Sequence, residues 1–188
     1  MSVTVIVIIA IVAIVFLYIF TTQRKLVALE EMTKNALGQI SAQLQTRWDA
    51  VVSLVGMTKQ YAGYEHDTLA DVIAQRRGPV TSAADVNNQN SAIDQVLGKV
   101  IALSERYPEL KASAVFLNTM DGIKGYEENV RLSRMTYNDA VTKINTLIRQ
   151  WPSSFVASML HFTQKEYVKE EQGKSGMPDV TAIFNSGK

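Results

Sequence analysis

Residues Val3 to Phe20 read VTVIVIIAIVAIVFLYIF, a run without a single charge. As a helix it is about 27 Å long, close to the hydrocarbon thickness of a bilayer. Val and Ile dominate it, which lowers helix propensity in water. In lipid that matters little, because a spanning backbone has only itself to bond to. Tyr18, Phe16 and Phe20 lie at its far end, where aromatic belts sit at a membrane surface. A secretory signal wants a basic residue before the apolar run and a small-x-small cleavage site after it. Met1 and Ser2 precede the run, and Thr21-Thr22-Gln23-Arg24-Lys25 follows it. The reading is an uncleaved, single-pass anchor over 1–22. A buried core helix is the competing one.

The remaining residues suffice for one well-packed domain. Nineteen Lys and Arg face eighteen Asp and Glu, interspersed, so no basic footprint for nucleic acid exists. There is no Cys, which excludes disulfides, thiolate nucleophiles and zinc–thiolate sites. Arg24, Lys25 and Lys34 follow the anchor closely. The positive-inside rule then puts the domain in the cytoplasm and Met1 outside, in a bacterial inner membrane.

From Arg24 to Ala62 there is no Pro, and apolar residues recur at Leu26, Leu29, Leu37, Ile40, Leu44, Val51, Leu54 and Val55. That three-four spacing predicts a helix continuous with the anchor. AGYEHDT, Ala62 to Thr68, interrupts it, and a short helix follows to Arg77. GPVTSAADVNNQN, from Gly78, reads as an exposed loop. A third helix is expected over Asn90–Arg106, with Ile93, Val96, Leu97, Val100, Ile101 and Leu103 in register. Pro108 then starts a long helix over Glu109–Gln150. Its stripe is Phe116, Met120, Ile123, Glu127, Val130, Arg134, Tyr137, Val141, Ile144, Ile148, Trp151, close to a coiled-coil heptad seam. SSFVASMLHF forms one last short turn. The fold class is all-α: a transmembrane helix continuous with an elongated antiparallel bundle of two long and two shorter helices over 23–160. The polar tail, 161–188, is expected to be flexible alone and ordered by contact with a neighbour.

Charges interrupt both stripes. Arg47 lies between Leu44 and Val51, and Glu127 and Arg134 stand seven residues apart. Buried charges need partners. Arg47, Glu127 and Arg134, with Tyr137 nearby, are therefore expected to form a network that sets helix register; a ligand site is the alternative. The two His, His66 and His161, lie far apart and assemble no zinc site. Tyr64-Glu65-His66-Asp67 reads as a capped helix junction rather than an acid–base pair. Glu170 and Glu171 read as solvated. Met32, Met57, Met120 and Met135 read as core filling. Met159 with Phe155 and Phe162 forms a candidate assembly surface. Ala10 and Ala13, on one face of the anchor, form another, although no GxxxG is present.

GQISAQLQTRWDAVVSLVGMTKQYAGYE resembles the first block of the LemA family. YPELKASAVFLNTM followed by GYEENVRLSRMTYNDAVTKINTLIRQWP resembles its second, so the similarity runs from about Val27 to Val168. Gln39, Leu44, Arg47, Asp49 and Leu54 match family positions in the first helix, followed by Tyr61, Ala62, Glu65, Thr68 and Leu69. Tyr107, Pro108, Leu110, Lys111, Ala112 and Phe116 match in the second half, with Glu127, Arg134, Tyr137, Asn138 and Val141 after them. The chain departs from the family at Leu37, where Trp is usual, at Val52-Ser53 in place of Pro-Asn, and at Tyr64, where His often precedes the Glu. The resemblance implies an N-terminal anchor, a helical bundle and a short N-terminus outside; the family's molecular activity is not established. Some relatives belong to magnetosome membrane systems, and others are encoded near membrane metallopeptidases or TPM-domain proteins.

No catalytic constellation, metal site or cofactor is implied. The leading expectation is a non-enzymatic membrane scaffold that self-assembles into a homo-oligomer and organises or shapes the bilayer. The alternative is a membrane-tethered adaptor or regulator that binds a membrane protease or another envelope protein.

Overall fold

The computed structural model describes residues 2–58 and 78–169. All its regular structure is helical. In chain order the helices are α1 (Val3–Thr58), α2 (Ala83–Arg106), α3 (Pro108–Ala112), α4 (Ala114–Arg149) and α5 (Ser153–Met159). The expected junction at Ala62–Thr68 and helix to Arg77 lie outside the described residues, as does the tail from Glu170.

Helix α1 runs without a break for 56 residues, about 84 Å at 1.5 Å per residue. Residues 2–18 are exposed on every side, and this part is long and apolar enough to cross a membrane. Burial begins at Thr22 and Leu26. From there the stripe is Thr33, Ala36, Ile40, Leu44, Arg47, Val51, Leu54 and Thr58. No Pro or Gly lies between Phe20 and Leu26, so nothing interrupts the helix as its surroundings change.

Helix α4 lies antiparallel against α1. Arg47 stands across from Glu127, and Lys25 shares a groove with Gln150. Moving 22 residues down α1 is matched by 23 residues up α4, so the register is constant. The buried stripe of α4 is Phe116, Ile123, Val130, Arg134, Tyr137, Val141 and Ile144, alternating in steps of three and four once half-buried Met120 and Glu127 are included. Ile40, Leu44, Val51, Leu54, Val141 and Ile144 are fully enclosed. Each such side chain contributes about 1.5–3 kcal/mol.

Two boundaries differ from the sequence expectation. Helix α2 starts at Ala83, not Asn90, because Ser82 caps it by accepting from the Asp85 N–H at 3.1 Å. Asp85 in turn accepts from both the backbone N–H and the hydroxyl of Thr81. The stripe Ala83, Val86, Asn90, Ile93, Leu97, Val100, Ser104 is buried throughout. The expected Glu109–Gln150 helix is split at Ser113, whose backbone is extended (φ −63°, ψ 123°). Leu110 and Phe116 are both buried, yet on one continuous helix they would point about 120° apart. The break at Ser113 turns both into the core. At the other end α4 stops at Arg149, so Trp151 leaves the seam and is 82% exposed.

The segment after α5 also departs from expectation. Residues 162–169, expected to rely on a neighbour for order, lie along α4 as an extended strap, and Val168 joins the core.

Candidate functional site

Arg47 is the largest fully enclosed side chain among the described residues, at 1% exposure. One guanidinium nitrogen donates to Asn90 Oδ1 at 2.6 Å and the other to Asp94 Oδ1 at 2.6 Å. Glu127 Oε2 lies 3.7 Å away. Asn90 also donates to the second oxygen of Asp94 at 3.1 Å. Asn90 and Asp94 are one turn apart on α2, which places them on one face. The result ties α1, α2 and α4 together at a single arginine. The remaining carboxylate surface is open to water, since the Asp94 side chain is 41% exposed and that of Glu127 is 31%.

Of the residues grouped from sequence, the structure brings Arg47 and Glu127 together. Arg134 is buried two turns along α4, about 10 Å from Glu127. Tyr137 turns to the strap: its hydroxyl donates to the Glu166 carbonyl at 3.0 Å. Asn90 was missed because it closed a segment that read as loop, and Asp94 because it lay in the expected helix but off its apolar stripe. Their signal was present: Ser82-x-x-Asp85 is a helix-start pattern, and Asn90 continues the three-four stripe back from Ile93.

The strap is held by two carboxamides. Asn138 donates to the Val168 carbonyl and accepts from the Val168 N–H, each at 3.0 Å. Asn145 does the same for Lys165, at 2.9 and 2.8 Å. The spacing follows from geometry. Seven helical residues and three extended residues both advance about 10 Å. Lys165 Nζ then reaches across to Glu30 Oε1 at 2.8 Å. This bond, above all, holds the Glu30 carboxyl below its ordinary range. Burial, and secondarily the nearby Glu166 charge, push the Tyr137 phenol up.

The lower end of the bundle is the second feature. Helix α5 packs on both α1 and α4 through Ser153, Val156 and Ala157. The Ser153 hydroxyl donates to the Leu147 and Gln150 carbonyls, fixing the turn. Phe155 and Met159 face outward, at 69% and 49% exposure, while Phe162 is half-buried. Ala10 and Ala13 are exposed within the apolar part of α1, about 14–18 Å below Thr22. The two groups of candidate assembly residues therefore do not meet within one chain. Among the described residues, no three metal-ligating side chains converge.

The LemA family model matches residues 36–181. Protein LemA of Metamycoplasma hominis is 27% identical over 132 residues, which cover 68% of this chain. The chain spans 59% of the length of that relative.

Proposed function

The chain belongs to the LemA family, and we propose that it is a non-enzymatic, membrane-anchored scaffold. The observation that carries this reading is the continuity of α1. One unbroken helix passes from a stretch exposed on every side into a fully packed seam. A bilayer is the natural solvent for the first part. The second part then stands as a stiff rod on the membrane surface, on the cytoplasmic side by the charge of Arg24 and Lys25. Arg47 and Asn90 fasten helices, and Asn138 and Asn145 fasten the strap, which supports a structural role.

Side-by-side packing of several copies would organise a patch of membrane. Leu132 and Met135, one turn apart on the outer face of α4, and Val115 and Leu117 at its start are all about half exposed or more. They supply an apolar flank for such contacts. The test is the mass of the native complex in mild detergent. A discrete species of many subunits is expected. A monomer or dimer across all concentrations would overturn self-assembly and favour the adaptor, with that flank presented to another membrane protein. The side of the membrane is tested with Asn185→Cys, the chain having no other Cys. Labelling only after permeabilisation is expected.

A further inference from the structure

Helix α4 descends toward the anchor end of α1, placing Gln150 beside Lys25 and Leu29. The strap climbs away again, with Lys165 at Glu30 and Val168 at Asn138. Helix α5, between them, is therefore the lowest part of the bundle. It packs on α1, whose burial begins at Thr22 and Leu26. Those turns begin about 3 Å above Phe20, where the apolar run ends. The headgroup layer of a bilayer is about 5–8 Å thick on each side. Once α1 is seated in a membrane, α5 is at the depth of the headgroups.

The outward residues of this end match that depth. Phe155 and Met159 stand one turn apart on α5 and are both exposed, and Trp151, just before the helix, is exposed as well. Trp and Phe beside cationic residues are the composition of surface-lying membrane segments. The cations are present: a groove of about 410 Å³ between α1 and the end of α4, reaching Gln150, is lined by Lys25, Lys143, Leu29, Thr146 and Leu147. Among the described residues neither lysine is in an ion pair, and Glu30, the carboxylate of this end, is bound to Lys165. We propose that α5 is an interfacial foot: Trp151, Phe155 and Met159 insert among the headgroups of an anionic leaflet, and Lys25 and Lys143 bind its phosphates. The foot sets the resting inclination of the rod against the membrane. This proposal rests on the anchoring of α1 in the bilayer.

The test uses the full chain in phosphatidylglycerol/phosphatidylcholine vesicles that contain acyl-brominated lipid. The chain has two tryptophans. Trp48 is buried and stands about 42 Å above Phe20 along α1, beyond the reach of the bromines, so it is an internal control. Quenching of Trp151 is expected, and Trp151→Phe should abolish it. Lys25→Gln with Lys143→Gln should reduce the docked-to-undocked ratio about fivefold for each lysine, as will vesicles of phosphatidylcholine alone. If the chain co-floats with vesicles and Trp151 is not quenched, the foot is overturned while the anchor stands. If Trp151→Ser breaks a multi-subunit species instead, these residues form a subunit interface and the lipid assignment is overturned. If the chain fails to co-float, the anchor fails and the foot with it.

Discussion

Arg47 on α1 and Asp94 on α2, forty-seven residues apart in sequence, are joined by a 2.6 Å charge-assisted hydrogen bond at the edge of a mostly apolar seam. The arginine is enclosed and the aspartate half open to water. Removing the carboxylate therefore leaves a buried guanidinium with only Asn90 and the more distant Glu127. Asp94→Ala is expected to lower stability by about 1.5–3 kcal/mol, the range for hydrogen bonds to charged groups. Glu127→Gln, at 3.7 Å, should cost less, about 1 kcal/mol. Thermal unfolding in mild detergent ranks the two. An unchanged midpoint for both would remove the cluster from any account of stability.

The strap depends on two asparagines. Asn138→Ala deletes both bonds to Val168 and should cost about 1–2 kcal/mol. Hydrogen exchange is the sharper readout. The Val168 amide is expected to lose protection in Asn138→Ala, and the Lys165 amide in Asn145→Ala. Full protection of both amides in the double variant would show that the strap is held by other contacts.

His161 has a φ of 59°, in the left-handed region. It follows the last turn of α5, where the Phe162 N–H bonds to the Ala157 carbonyl and the His161 N–H to the Ser158 carbonyl. This double bond pattern usually takes glycine at the position His161 holds. His161→Gly is expected to raise stability by about 0.5–1 kcal/mol, read as an upward shift in unfolding temperature. A fall would show that the imidazole makes a contact worth more than the backbone cost.

Tyr137 should make the strap sensitive to alkali. Burial first, and Glu166 second, raise its pKa above the ordinary 10.0. The folded protein therefore holds the phenolic proton more tightly than the unfolded chain. The corresponding stability is complete below the ordinary tyrosine pKa and is lost as pH rises past it toward the raised value. Protease cleavage in the strap should increase over that range. In Tyr137→Phe the alkaline increase should be absent, although cleavage at neutral pH rises because the bond to Glu166 is gone.

The long helices were legible in sequence because each carries one repeating stripe. Ile123, Val130, Tyr137 and Ile144 on α4 declare their face without help from any partner. The stripe also exposes its own exceptions, so Arg47 and Glu127 stand out as charges where apolar residues are due. The partners of Arg47 were harder. Asn90 closes a stretch rich in Asn, Ser and Asp, whose side chains compete with backbone bonds and favour loops, and Asp94 stands off the apolar stripe of the helix expected after it. The Ser82 cap and the burial of Val86 and Ile93 outweigh that preference. The break at Ser113 left no local mark, since it answers a tertiary demand that Leu110 and Phe116 face the same core. The strap was hidden for a different reason. Its bonds use backbone groups of Lys165 and Val168, which any residue but Pro carries, so only the Asn138 and Asn145 side chains could signal it.

Because α1 has no joint between its apolar turns and its packed turns, an α1 seated in a bilayer as proposed would act mechanically as a lever with its fulcrum at the bilayer surface. From Thr22 to Thr58 the arm is about 54 Å long. Lengthening or thinning of the surrounding lipid tilts a spanning helix by several degrees. A 10° tilt would sweep the far tip of the bundle through about 9 Å. On that proposal, changes in bilayer thickness too small to alter any contact inside the protein would be converted into displacements of its distal surface.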